Sequence, residues 1–166
     1  MDHITIKNFN LIRKEVESKS KNIKIIAVTK TFSIEAIKPM INYGHLHFGE
    51  NKVQEAVLKW PDIKKDYGNI KLHLIGKLQT NKVKYILPLF DYIHSLDNLK
   101  LAEKINLEQD KKNFKPKIFV QVNIGNEIQK NGVKYEELEF FLKECKKNFN
   151  LNIIGLMCIP PNDDDT

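Results

Sequence analysis

One lysine of this chain stands where a reactive amine is expected. The segment AVTK, residues 27–30, ends the apolar run IKIIAV, which is typical of a buried parallel strand. Residues alternate sides along a strand, so Ile26, Val28 and Lys30 share one face. Over an apolar interior the ammonium loses hydration, which favours the neutral amine that forms Schiff bases with aldehydes. The alternative is that Lys30 is a solvated surface residue, one of 26 lysines.

Other polar or small residues follow the remaining predicted strands. In α/β proteins the functional site lies at the carboxyl ends of the strands, so these residues are candidates to line it. They are Glu50, Asn51, Gly76, Asn123 and the segment from Met157 to Pro160. Gln121 and Asn123 share a face, and amides at the end of a buried strand need partners in the core or in a ligand. Lys130 lies in the loop after the fifth predicted strand, where it either binds an anion or is an ordinary surface lysine.

The elements that position these residues alternate between strand and helix. Strands are predicted at 24–28, 45–50, 71–76, 91–96, 117–123 and 152–158. Helices are predicted at 6–19, 51–60 and 80–87. Two more helices are predicted to begin after the capping residues Ser33 and Asp97, and another carries Leu138, Phe141, Leu142 and Cys145 on one face. Loops are predicted at 61–70 and 124–133. This alternation predicts a parallel α/β domain. A (β/α)8 barrel needs about 200–250 residues, so the chain is either an open doubly wound sheet or a barrel with about six units.

Composition narrows the function classes. The net charge is +6, but acids and lysines are interspersed, and Arg13 is the only arginine, which argues against a nucleic-acid partner. No apolar run approaches the length of a membrane span, and the N-terminus lacks the features of a signal peptide. Two cysteines, Cys145 and Cys158, make neither a disulfide framework nor a metal site. We therefore expect a cytoplasmic protein that neither spans a membrane nor binds a metal ion.

Six motifs together carry a family resemblance. They are IIAVTKTFSIEAI, FGENKVQEA, LHLIGKLQTNK, IHSLD, VQVNIGNEIQKNGV and IIGLMCIPP, spread over residues 23–161. In order and spacing they resemble the pyridoxal-phosphate homeostasis protein family (YggS/PROSC-like). The resemblance implies a (β/α)8 TIM barrel of the alanine racemase N-terminal type, with about six of its eight βα units in this chain. It also implies binding of pyridoxal 5′-phosphate (PLP).

The resemblance assigns roles to particular residues. The family's Schiff-base lysine falls on Lys30, which implies a covalent aldimine with PLP. The resemblance also implies that Asn51, His73, Gly76 and Lys130 line the cofactor site, with Gln79 and Asn81 near the third strand. Asn123 and Met157, which strand order places at the same rim, complete the predicted site. His73 shares a face with Ile75, so a core histidine with satisfied hydrogen bonds is the alternative interpretation.

One departure from the family affects the expected affinity. Relatives continue past GLMCIPP into segments that hold the PLP phosphate, and neither segment occurs before Thr166. We therefore expect residues 1–166 to form a single PLP-binding barrel domain that is incomplete at its C-terminus. Charged hydrogen bonds contribute ~1.5–3 kcal/mol each, so losing several weakens non-covalent capture of PLP.

The leading functional hypothesis is a PLP-binding protein that buffers or delivers the cofactor and is not an enzyme. PLP-dependent apoenzymes are the candidate recipients, and we expect a monomer or weak dimer. No acid or base partner for Lys30 is evident in the sequence, although PLP racemases and decarboxylases need one. The alternatives are a PLP-dependent enzyme acting on an amino acid, an aldolase-like enzyme in which Lys30 attacks a ketone, and a degenerate remnant that binds nothing.

Overall fold

Helices alternate with parallel strands along almost the whole chain. The computed structural model describes residues 3–125 and 131–160. The strands are β1 (Ala27–Val28), β2 (His47–Glu50), β3 (Lys71–Leu74), β4 (Tyr92–Leu96), β5 (Lys117–Asn123), β6 (Val133–Lys134) and β7 (Asn152–Cys158). The helices are α1 (Ile4–Lys19), α2 (Ile34–Asn42), α3 (Val53–Lys59), α4 (Pro61–Asp66), α5 (Val83–Ile86), α6 (Leu99–Lys112) and α7 (Leu138–Asn148).

The strands form one parallel sheet in chain order. The order is β1-β2-β3-β4-β5, after which β5 pairs with both β6 and β7. Every ladder is parallel, so all carboxyl ends of the strands lie at one edge of the sheet. Among residues 3–125 and 131–160 no ladder joins β1 to β7, so the sheet is open between these two strands.

The two faces of the sheet are chemically different. The outer face, against the helices, is apolar and buried, as in the registered pairs Phe48–Leu72 and Ile93–Ile118. Continuous apolar burial of this kind is the expected signature of parallel strands covered by helices. The inner face instead carries a row of aromatic rings: His47, His73, Tyr92, His94 and Phe119. Three imidazole rings and one phenol ring therefore lie on the inner face.

The six predicted strands are confirmed, four of them with shorter boundaries, and two local predictions are wrong. Residues 61–66 form α4 instead of a loop, because Pro61 occupies the first helical turn, where its missing N–H costs nothing. In the predicted loop at 124–133, the described residues lie outside helices and strands except Val133, which begins the short strand β6. Asn98, not Asp97, caps α6, since its side-chain oxygen accepts from the Leu101 N–H.

Candidate functional site

The rim at the carboxyl ends of the strands collects most of the predicted site residues. Lys30 follows β1, Asn51 follows β2, and Gly76 lies two residues after β3. Asn123 ends β5, and Met157 is the penultimate residue of β7, paired with Gln121. The parallel topology therefore brings these five residues to one edge. The prediction for Lys130 falls outside the described residues.

Lys30 is exposed, and the prediction that its amine is desolvated is wrong. β1 is an edge strand that pairs only with β2 among the described residues, so its other edge is open. Val28, on the same face as Lys30, is 45% exposed for the same reason. The amine thus lies at the predicted rim, but in contact with solvent and reachable by a ligand.

The turn that carries Lys30 is tightly held from the opposite side. Thr29 is buried, and its backbone N–H and hydroxyl donate to the Gly49 carbonyl and the Glu50 carboxylate at 2.9 and 2.7 Å. The next residue after Lys30, Thr31, has φ of 67°. Such a left-handed conformation is unfavourable for a β-branched residue. It is accommodated because Glu55 Oε1 accepts the Thr31 N–H at 2.7 Å.

A buried ammonium completes this support. The Lys59 side chain is only 8% exposed, and its Nζ lies 2.7 Å from Glu50 Oε1 and 3.0 Å from Glu55 Oε1. The same Nζ donates to the carbonyl oxygens of Thr29 and Phe32, at 2.9 and 3.2 Å. One ammonium therefore ties α3 to both ends of the Lys30 turn.

Glu50 links this network to the outer core. Its side chain is fully buried, and Oε1 also accepts from Trp60 Nε1 at 2.9 Å. The hydrogen bond from Lys59 lowers the pKa of Glu55. Glu50 was predicted to line the rim, but it is buried against Trp60 instead, whereas Glu55, Lys59 and Trp60 were missed at the level of sequence. The available signal was the i, i+4 spacing of Glu55 and Lys59, which usually marks only a surface ion pair.

Asn51 and Gly76 are in direct backbone contact at the rim. A Cβ atom placed on Gly76 would lie 2.3 Å from the Asn51 carbonyl oxygen and 2.7 Å from its Cα. No side chain fits at such a distance, so glycine is required here by close approach of two backbones. The contact fixes Asn51, which both the sequence and the family resemblance assigned to the site.

We expect Gly76→Ala to lower the free energy of unfolding by about 1–3 kcal/mol, since backbone must move to admit the methyl group. Gly68→Ala is the matched control, because a Cβ there meets nothing within 4 Å. That control should leave stability unchanged or raise it by about 0.4–1 kcal/mol. Urea denaturation of both variants measures the difference, and equal midpoints would contradict the packing described for Gly76.

The far side of the rim is closed by a short polar bridge. The Asn131 backbone carbonyl accepts from Gln121 Nε2 at 3.0 Å, and its side-chain oxygen accepts from Lys77 Nζ at 2.6 Å. Gly132, with φ of 130°, packs directly on the Asn123 backbone. The segment before β6 therefore returns to the rim beside Asn123.

His73 lies below the rim, in the middle of a chain of rings. Its Nε2 and Nδ1 lie 2.9 Å from His47 Nδ1 and His94 Nε2, and its ring stacks on Tyr92 at 4.1 Å. Both ring nitrogens are thus engaged, which favours the core interpretation of His73. Burial lowers the pKa of His73 to about 3 and that of His94 to about 4.

The histidine chain predicts acid sensitivity. Well above pH 6.5 both rings are neutral in the folded and the unfolded chain. Below it the unfolded chain binds protons that the fold rejects until about pH 4 for His94 and 3 for His73. Stability should therefore fall by up to about 1.4 kcal/mol per pH unit for each ring between pH 6.5 and 5. Denaturant titrations across this range measure it, and a flat profile would contradict the assignment.

The arrangement at the rim suits an aldehyde ligand better than a metal ion. The exposed primary amine of Lys30 lies at this rim, and a lysine amine condenses with carbonyl compounds. No group of three or more His, Cys, Asp or Glu side chains within 3–125 and 131–160 is placed to hold a metal.

Comparison with known proteins gives consistent matches. The family model described as alanine racemase, N-terminal domain, matches residues 5–166. A pyridoxal phosphate homeostasis protein of Buchnera aphidicola subsp. Schizaphis graminum is 40% identical over 167 residues, covering 96% of this chain and 72% of that protein.

Solved structures agree with these matches. PipY of Synechococcus elongatus with PLP bound superposes with a TM-score of 0.77 at 32% identity, covering 90% of this chain and 71% of PipY. Alanine racemase of Clostridium difficile superposes with a TM-score of 0.66 at 16% identity, covering 84% of this chain and 36% of the racemase. The second likeness shows the fold alone. The predicted fold class, an alanine racemase N-terminal type of parallel α/β domain, is confirmed.

Proposed function

This chain belongs to the pyridoxal phosphate homeostasis protein family, and from that premise we propose that it holds PLP through Lys30 for buffering and delivery. When bound, PLP supplies an aldehyde whose carbon forms a C=N bond with a lysine nitrogen as one water leaves. Lys30 supplies the amine. The observation that carries the proposal is that this amine is exposed at the rim and sits on a turn fixed by a buried network.

The residues present fit this cofactor. An aldehyde must reach the amine from solvent, and the exposure of Lys30 allows that approach. The neighbouring strand ends add the amide groups of Asn51 and Asn123, which can hydrogen-bond to polar groups of a ligand. The bridge of Lys77 and Asn131 adds one positive charge on the same rim, which suits an anionic ligand.

Storage fits the turn better than catalysis does. An enzyme acting on a PLP adduct needs a free acid or base beside it. The ionisable groups that support the Lys30 turn, Glu50, Glu55 and Lys59, are committed to one another and to the backbone. They hold the turn, and we assign them no proton-transfer role.

We further propose that PLP-dependent apoenzymes receive the cofactor and that the protein works in the cytoplasm as a monomer or weak dimer. In the described part of the chain, no helix has the length and apolarity to cross a membrane.

Retention and transfer of PLP test the proposal. The protein is mixed with PLP and desalted, and the ratio of PLP to protein is measured in the protein fraction. A ratio well above that of an unrelated lysine-rich protein, falling when a PLP-dependent apoenzyme is added and regains activity, is expected. Retention no greater than that of the unrelated protein would overturn the proposal.

A further inference from the structure

We propose that Lys59 is a positioning residue: its buried ammonium holds the turn from Thr29 to Phe32 so that the Lys30 amine is presented at the rim. The inference rests on the proposed function, because presentation of Lys30 matters only if Lys30 captures PLP. It assigns a task to a lysine that the proposed chemistry does not use.

The first support is the set of oxygens round the ammonium. Lys59 Nζ has four oxygen neighbours within 3.2 Å, two from carboxylates and two from carbonyls of the turn. The two carbonyls belong to Thr29 and Phe32, so they flank the two residues that lie between them, Lys30 and Thr31. A buried ammonium needs such partners, and here they fix both ends of the four-residue turn.

The second support is the strained residue next to Lys30. Thr31 keeps a left-handed backbone because Glu55 Oε1 accepts its N–H, and the same oxygen accepts from Lys59. Strain of this kind persists only where the surroundings impose it, and it concentrates at functional sites. Lys59 and Glu55 are one helical turn apart on α3, so a rigid helix imposes the conformation.

The third support is the charge balance. Glu50 and Glu55 bring two carboxylates to within 3.0 Å of one ammonium. Without that ammonium the carboxylates would repel each other and the turn carbonyls would lose their donor. The network therefore depends on the positive charge of Lys59 as well as on its shape.

The test separates the initial binding of PLP from the positioning of the Lys30 amine. The rate at which the absorption band appears after addition of PLP is measured at increasing PLP concentrations. The dependence of this rate on concentration gives a saturating rate constant and a half-saturating concentration. In Lys59→Met the saturating rate constant should fall about 10- to 100-fold, because misplacing a reacting group by about 1 Å has that effect. The half-saturating concentration should change less than about twofold, since initial binding is untouched.

A second readout needs no PLP. Amide hydrogen exchange at Thr31 and Phe32 should accelerate by about tenfold or more in Lys59→Met, while exchange in β4 and β5 stays unchanged. Glu55→Ala, which removes the acceptor of the Thr31 N–H at a partly exposed side chain, should accelerate exchange at Thr31 in the same way. If Lys59→Met does not fold, the exchange rate of the Thr31 amide in Glu55→Ala is measured in its place. Lys65→Met, at an exposed lysine of α4, is the charge-matched control and should match the wild type in both readouts.

The outcomes separate the two proposals. A Lys30 adduct in the wild type with an unchanged rate constant and unchanged exchange in both variants overturns the positioning role and leaves the proposed function standing. A wild type that forms no adduct overturns the proposed function and the role in PLP capture together. In that case the exchange measurement still decides whether Lys59 holds the turn.

Discussion

Lys30→Ala should abolish the visible absorption band that appears when PLP is added to the wild-type protein. The variant keeps the backbone of the rim and loses the side chain that carries the amine, so PLP that remains at the site is held without a covalent bond to residue 30. This substitution has the largest expected effect on binding, because no other described residue is assigned to the reacting atoms. Absorption spectra of the two proteins at equal concentration, before and after PLP, measure it.

The control for this experiment is Lys65→Ala, which removes an exposed lysine from α4. With 26 lysines in the chain, non-specific adducts form at high PLP concentration, and the control defines that background. A band of equal size in wild type, Lys30→Ala and Lys65→Ala would show that the family assignment extends to the fold and not to this amine.

Trp60→Ala should lower the free energy of unfolding by about 3–5 kcal/mol, a large fraction of the stability of a domain this size. Trp60 is fully buried, its ring lies 5.1 Å from that of Phe48, and its Nε1 donates to Glu50. The substitution opens a cavity between the sheet and α3, and it removes one donor from a buried carboxylate. Urea or thermal unfolding measures the loss.

Two further variants give this prediction its controls. Trp60→Phe keeps a six-membered aromatic ring and removes the pyrrole part of the indole with its hydrogen bond to Glu50, so a smaller loss of about 1–3 kcal/mol is expected. Leu58→Ala, at a side chain that is 88% exposed on α3, should change stability by less than about 0.5 kcal/mol. A Trp60→Ala protein as stable as Leu58→Ala would contradict the packing described.

Periodicity and strand order made much of this fold predictable. The alternation of short apolar runs with helical patterns marked all six main strands, and parallel topology placed their carboxyl ends at one edge before any contact was known. Residues 61–66 escaped prediction because a polar segment beginning with proline resembles a loop, although proline is favoured in the first helical turn.

The location of the candidate site residues could be predicted from the sequence, but their solvent exposure and their contacts could not. Strand alternation placed Lys30 at the rim, but its exposure depends on which strand lies beside β1, and that is a tertiary property. The role of Lys59 also depends on tertiary contacts, since its partners at residues 29 and 32 are about 30 positions away in sequence. His73 illustrates the reverse case: the shared face with Ile75 indicated a core histidine, and the ring chain agrees with that interpretation.

The central claim is that one particular amine captures PLP, and identification of the modified lysine tests it most directly. The protein is incubated with equimolar PLP, reduced with borohydride, digested and examined by mass spectrometry. We predict that the reduced adduct lies predominantly on the peptide containing Lys30. An adduct spread over many exposed lysines, or concentrated on a different one, would contradict the account.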